Sequence, residues 1–259
     1  MKYLWPLAVL FLSNSLTAQE SENPLFSSFE DYKRAKENTP FQVKWISAGP
    51  VINSARVEAL QGDPNRPGTM YVAFGSGNLW KTTNNGLDWK PIFENQPTLG
   101  IGDIAIAPSN SEILYLGTGE SLRKNRNFTM PGTGVYRSDD GGETWAHLGL
   151  EDTWHISEIA VHPLNPDIVF VAAMGKFWSE STSKGIYRTT NGGKDWERVL
   201  YVNEDTRAND IVIAHSNPKM IYASMWENND NTNIAESVYG PNSGIYYSSD
   251  GGSSWKRSK

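Results

Sequence analysis

The chain has 259 residues and a formal net charge of −6 at pH 7, which argues against a nucleic-acid or anionic-membrane partner. It contains no cysteine, so it can form neither a disulfide nor a lipoprotein anchor, and its stability must come from packing. Ten Trp, eleven Tyr and 23 Gly fit an aromatic-rich all-β protein.

Met1 to Ala18 carries one lysine, Lys2, an apolar run from Leu4 to Leu12, and then polar residues ending in the small Ala18. This pattern reads as a bacterial Sec-type signal peptide over residues 1–18, since a bilayer span needs roughly 20 apolar residues. The mature protein is therefore expected to be secreted or periplasmic, with no membrane insertion after cleavage. Residues 19–40 form a polar leader with a helical piece around Tyr32, Lys33, Arg34 and Lys36.

The domain proper runs over 41–259. Phe41 to Ser47 (FQVKWIS) is expected to be a strand without a blade of its own. Four repeats follow, each with strands a to d. The first has RVEAL (56–60), MYVAF (70–74), LWKT (79–82) and WKPIF (89–93). The second has GDIAIA (102–107), ILYLG (113–117), GVYRS (134–138) and WAHL (145–148). The third has SEIAVH (157–162), IVFVAA (168–173), GIYRT (185–189) and WERVLY (196–201). The fourth has NDIVIAH (209–215), MIYAS (220–224), GIYYS (244–248) and WKRS (255–258). Nearly continuous apolar a and b strands imply burial on both faces, as between stacked sheets.

Between c and d each repeat writes one octet: TTNNGLDW, SDDGGETW, TTNGGKDW and SSDGGSSW. Its fixed residues are Asn84, Gly86 and Trp89; Asp140, Gly142 and Trp145; Asn191, Gly193 and Trp196; Asp250, Gly252 and Trp255. The Asp or Asn can accept backbone N–H groups in a turn, Gly supplies positive φ, and Trp re-enters as a large anchor. The successive tryptophans lie 56, 51 and 59 residues apart, a period that marks a repeat architecture. The octets resemble the Asp-box of BNR-repeat β-propellers, found in sialidases, family-74 xyloglucanases and the sortilin/Vps10 ectodomain. The resemblance implies a structural box, remote from the active face.

The expected fold is thus an all-β propeller of four four-stranded Asp-box blades, the N-terminal part of a larger ring; a closed ring of four is the alternative. The surplus strand 41–47 favours the larger ring. Strand order puts the boxes on one face with the a–b turns, and the b–c and d–a loops on the other, where function usually sits. That loop face brings the candidate ligand-binding residues Arg56, Glu120, Arg123, Arg126, Trp154, Trp178, Arg207 and Trp226. Aromatics among carboxylates, amides and arginines suit sugar rings. The alternatives are that the three tryptophans pack beneath the loops and that the Arg123–Arg126 cluster is a solvated loop. His162 and His215 share one repeat position, which favours a structural role. No HxH, HExxH or Cys/His cluster appears, so no metal and no cofactor is expected.

Hydrolysis of a glycoside needs two facing carboxylates, for which Glu120, Glu227 and Asp230 are the candidates. Family-74 xyloglucanases carry a catalytic Asp in a YxRTDxGGxYR motif. The corresponding stretch here, YVAFGSGNLWK (71–81), has Gly75 at that position. Sialidases need an arginine triad that opens with an early FRIP-like segment, plus a Tyr/Glu pair; no such segment is present, and Arg56 is the only early arginine on the expected working face. A closer resemblance is to exported bacterial proteins with a sortilin/Vps10-like domain. It rests on GTGE (117–120), HPLNPDIVFVAAMG (162–175), KGIYRTTNGGKDW (184–196) and ASMW (223–226). It implies a scaffold that binds a glycan or a peptide or protein ligand through the loop face, with a glycoside hydrolase as the alternative. The sequence leaves the oligomeric state open.

Overall fold

The structure, a computed structural model, describes residues 23–39, 56–121, 129–177, 179, 181–227 and 240–258. The expected signal peptide and the strand at 41–47 lie outside these residues, as do Arg123, Arg126, Trp178 and Asp230. The described chain folds into four sheets of four antiparallel strands, each sheet built from consecutive strands. The first contains β1 (Val57–Gly62), β2 (Met70–Phe74), β3 (Asn78–Thr82) and β4 (Lys90–Pro91). The second contains β5 (Ile101–Ile106), β6 (Leu114–Thr118), β7 (Val135–Ser138) and β8 (Ala146–His147). The third contains β9 (Ile156–Val161), β10 (Val169–Ala173), β11 (Gly185–Thr189) and β12 (Glu197–Leu200). The fourth contains β13 (Thr206–Ile213), β14 (Ile221–Glu227), β15 (Gly244–Ser248) and β16 (Lys256–Arg257). These are the four blades that the repeats predict.

The octets fold alike. In the second, Ser138 Oγ donates to Asp140 Oδ1 at 2.7 Å and accepts the Gly142 N–H at 2.8 Å, while Asp140 Oδ1 accepts the Thr144 N–H at 2.9 Å. The other three repeat this from Thr82, Thr189 and Ser248. Gly86, Gly142, Gly193 and Gly252 all have φ between 84° and 94°, a region that a side chain would strain. Each box is also tied to the a–b turn: Asn85, Gly141, Gly192 and Gly251 N–H groups donate to Gly68, Glu112, Asp167 and Lys219 carbonyls at 2.9–3.0 Å. Boxes and a–b turns therefore share one face. His162 belongs to that face as a turn cap, its Nδ1 accepting from the Leu164 and Asn165 N–H groups at 3.2 Å.

The first three blades are keyed together by box tryptophans, whereas Trp255 Nε1 of the fourth donates to Gly252 O of its own box at 3.2 Å. Trp145 Nε1 donates to Ile92 O of the first blade at 2.9 Å, and Trp196 Nε1 to Leu148 O of the second at 2.8 Å. From the other side, Tyr71 Oη reaches Gly141 O and Tyr115 Oη reaches Pro166 O of the following blade. Between these keys lie the apolar cores. Tyr71, Ala73 and Leu79 pack against Ile104, Leu114 and Leu116; Ala172 and Ile186 pack against Ile211, Ile221 and Ala223. Strands β6 and β10 are buried throughout, as continuous apolar runs predict.

That expectation fails for the first and fourth blades, each of which covers one face only. Val57 is 57% exposed and Leu60 60%, while Val212 is 55% exposed and Ile245 46%. The box Trp89, expected to be a buried anchor, is 37% exposed, because no other blade among the described residues lies against that side to receive the ring. Before the blades, α1 (Pro24–Asn38) extends the expected helical piece; Asn23 caps it by accepting the Leu25 N–H at 3.1 Å. Its start is held by Asn23 Nδ2 donating to Gly132 O and by Phe26 set edge-on to His147.

Candidate functional site

Each innermost strand carries a β-bulge near its start, and the residues just before the bulge pair with those at the end of the b strand or just past it. One repeat position therefore holds Arg56, Gly100, His155 and Arg207, facing Gly75, Gly119, Met174 and Trp226. These residues meet on the loop face, away from the boxes. They form a polar line that crosses the blades.

The line begins at an ion pair between the Arg56 guanidinium and the Glu120 carboxylate, with Glu58 3.6 Å from Arg56 on its other side. Glu120 is 1% exposed and fully engaged: Oε2 also accepts from Thr129 Oγ1 at 3.1 Å and from the Met130 N–H at 3.3 Å. Gly75 makes room for it, since a Cβ there would fall 2.6 Å from Glu120 Cγ. The position where the xyloglucanase motif has Asp is thus filled by a carboxylate from the next blade. The backbone carbonyl of Glu120 receives His155 Nδ1 at 3.1 Å. A carbonyl can only accept, so Nδ1 carries the proton of a neutral ring. Burial, and then the nearby Arg207 charge, lower the His155 pKa to about 3.

His155 stacks on Phe177 with centroids 4.2 Å apart, and the Arg207 guanidinium lies over the same ring at 4.5 Å. Arg207 is 1% exposed, so its charge is set into the fold rather than offered to solvent. Of the sequence candidates, the structure brings Arg56, Glu120 and Arg207 into this line together with His155 and Phe177. His155 and Phe177 are not among the sequence candidates; aligning the four strand bulges is the signal that finds the histidine.

The more open residues flank the line. Trp154, at a positive φ of 55°, has Lys176 Nζ over its ring at 4.9 Å and accepts the Gly132 N–H on its carbonyl at 2.7 Å. Trp226 pairs with Arg207 across β13 and β14, half-buried. Glu227 is held by the Asn242 N–H at 2.7 Å and by the Asn242 and Asn203 amides. The backbone N–H leads the hydrogen bonds that lower its pKa. Both described catalytic candidates, Glu120 and Glu227, are therefore carboxylates fixed as hydrogen-bond acceptors.

Residues 133–259 match the Sortilin-Vps10 family model, described as sortilin, neurotensin receptor 3. A xyloglucanase from Paenibacillus sp is 24% identical over 217 residues, 70% of this chain and 20% of the relative. Xyloglucanase Xgh74A of Acetivibrio thermocellus is 27% identical over 173 residues, 55% of this chain and 20% of the relative. The chain thus spans about a fifth of the length of these curated relatives. An ancestral GH74 enzyme superposes with a TM-score of 0.59 at 23% identity, covering 78% of this chain and 24% of that one. That likeness is one of fold, the Asp-box propeller.

Proposed function

We propose that the loop face is a binding surface for a polysaccharide chain, on an exported protein, and that it holds its ligand without cleaving it. The observation that carries this reading is the state of Glu120. A general acid or base must meet the proton it transfers, whereas this carboxylate is enclosed by Arg56, Thr129 and the Met130 N–H. Arg56, 40% exposed at its side chain, and the half-buried Trp154 with Lys176 above it remain to meet a ligand. An indole offers an apolar face to a sugar ring, and the charged groups beside it bond hydroxyls. The xyloglucanase relatives favour a glucan over a peptide.

Those same relatives favour a second reading, hydrolysis of xyloglucan-type polymers. One experiment separates the two. The protein is incubated with xyloglucan and other β-glucans, and gel retardation and reducing-end release are scored together. Binding predicts retardation without release, with Trp154→Ala weakening retention about tenfold, as loss of about 1.4 kcal/mol of apolar contact would. Release that Glu120→Gln abolishes would replace binding by hydrolysis. The absence of both signals would refute the glycan reading and point to a peptide or protein ligand.

A further inference from the structure

Trp154, the aromatic platform of the loop face, stands in a backbone conformation that residues with side chains avoid. Its φ is 55° and its ψ −37°, and Leu150, four residues earlier, is left-handed at φ 62°. Such a turn persists only where its surroundings hold it. What holds this one is the segment 129–134, at the end of the second blade's b–c loop, whose Gly132 N–H donates to Trp154 O at 2.7 Å. The same segment holds the other half of the loop face. Thr129 Oγ1 and the Met130 N–H donate to Glu120 Oε2 at 3.1 and 3.3 Å, behind the ion pair with Arg56. One strap therefore reaches both the platform and the polar line.

The strap has supports of its own. Thr98 Oγ1 donates to Pro131 O at 2.8 Å, the Thr133 N–H donates to Thr118 Oγ1 at 2.8 Å, and His147 Nε2 donates to Thr133 O at 2.7 Å. Gly132 is pressed so close to the second blade that a Cβ would fall 2.4 Å from the Thr118 carbonyl carbon. Its own carbonyl is taken by Asn23 Nδ2 at 3.1 Å, from 109 residues earlier in the chain. Asn23 is 3% exposed and has two duties: Oδ1 closes the start of α1 by accepting the Leu25 N–H, while Nδ2 reaches the strap. Phe26, three residues on, lies edge-on to His147 with centroids 5.1 Å apart, against the histidine that holds Thr133 O. From Glu30 to Asn38 every residue of α1 is exposed, so the helix is attached at its start.

We infer that Asn23 positions Trp154 through Gly132, so that the seating of the leader helix regulates how firmly the loop face holds a glycan; the second half of this rests on the polysaccharide reading of that face. With Asn23 seated, Gly132 is fixed at both its N–H and its carbonyl. With Asn23 released, Gly132 and the strained turn that it restrains are free to move together. The indole then loses its fixed orientation, and a ligand must order it on binding, which lowers affinity.

Asn23→Asp and Asn23→Ser in the full chain test this. Both keep an oxygen that caps α1, but a carboxylate has no proton for Gly132 O and a serine is too short to reach it. The readouts are amide hydrogen exchange at Gly132, the fluorine resonance of Trp154 in protein labelled with fluorotryptophan and assigned through Trp154→Phe, and retention by xyloglucan in a gel. Both variants should speed exchange at Gly132 about tenfold, the equivalent of one lost hydrogen bond. The Gly142 amide, bonded to Ser138 Oγ within its box, should be unchanged and reports an intact fold. The Trp154 resonance should shift or broaden, and retention should fall severalfold. Unchanged exchange and resonance in both variants would overturn the inference. Faster exchange with an unmoved Trp154 resonance would overturn it too, as would a moved resonance with undiminished retention. A wild-type chain that xyloglucan does not retain would refute the polysaccharide reading and with it the regulation, while exchange and resonance would still decide whether Asn23 positions Trp154.

Discussion

Asp103 gives a sharp test of how the blades are joined. Its side chain is 3% exposed in the second blade, and Oδ2 accepts the Ile159 N–H of the third blade at 2.7 Å. Burial raises its pKa to about 7; the N–H bonds from Ile159 and Ile104 oppose the rise, and the Asp210 charge adds to it. An unfolded Asp titrates near 3.9. Because the folded pKa is the higher one, the folded state binds the extra proton between these values. The stability from Asp103 is therefore complete below about pH 4 and is lost as pH rises through about 7. Three pKa units correspond to about 4 kcal/mol. Asp103→Asn keeps an acceptor for Ile159 and removes the charge, but turns an amide N–H₂ toward one of the two N–H donors, a loss of about 1 kcal/mol. The variant should be more stable than the wild type by about 1–3 kcal/mol at pH 8.5, with the advantage gone near pH 4.5. Urea unfolding at both pH values reads the difference directly. A variant destabilised more at pH 8.5 than at pH 4.5 would refute the reasoning, since it would mean that the ionised carboxylate is the favoured form in the fold.

Trp145→Phe should cost about 1–2 kcal/mol by leaving Ile92 O without its donor, whereas Trp89→Phe, made at an uncovered face, should cost less than half as much; thermal melts compare them. Gly75→Ala should destabilise by about 1–3 kcal/mol, because its Cβ displaces Glu120, and Glu120→Ala in the same chain should recover part of that loss. Arg56→Ala should cost about 3 kcal/mol by leaving a buried carboxylate without its cation, while Arg56→Ala with Glu120→Gln should cost less; denaturant titration of the four forms closes the cycle. Ser138→Ala should lower stability by about 1–2 kcal/mol through the lost Gly142 and Asp140 bonds.

The repeats made the blades legible before any coordinates. The octet places three constraints within eight residues, a hydroxyl, an Asx acceptor and a positive-φ glycine, and all four copies satisfy them through the same bonds. The strand order followed, and with it the segregation of boxes from working loops. What stayed hidden was pairing across blades. Arg56 and Glu120 are both visible in the sequence, but nothing local says that a guanidinium before β1 meets a carboxylate after β6. Likewise, Arg207 reads as an exposed loop arginine until Phe177 is laid beneath it. The exposure of Trp89 was concealed for the opposite reason: its octet is normal, and the difference lies in what stands next to it.

The boxes bear on how a chain of this kind could fold. The hydroxyl and Asx bonds of each fastener join residues no more than four apart, so a c–d hairpin can close in microseconds, as isolated hairpins do. The tryptophan keys, by contrast, span 53 and 48 residues and need the preceding blade to be present already. Each fastener can therefore set within its own hairpin, while the keys wait for two neighbouring blades to be present together. A chain that emerges amino end first can thus set its hairpins one at a time, without waiting for distant segments to find one another.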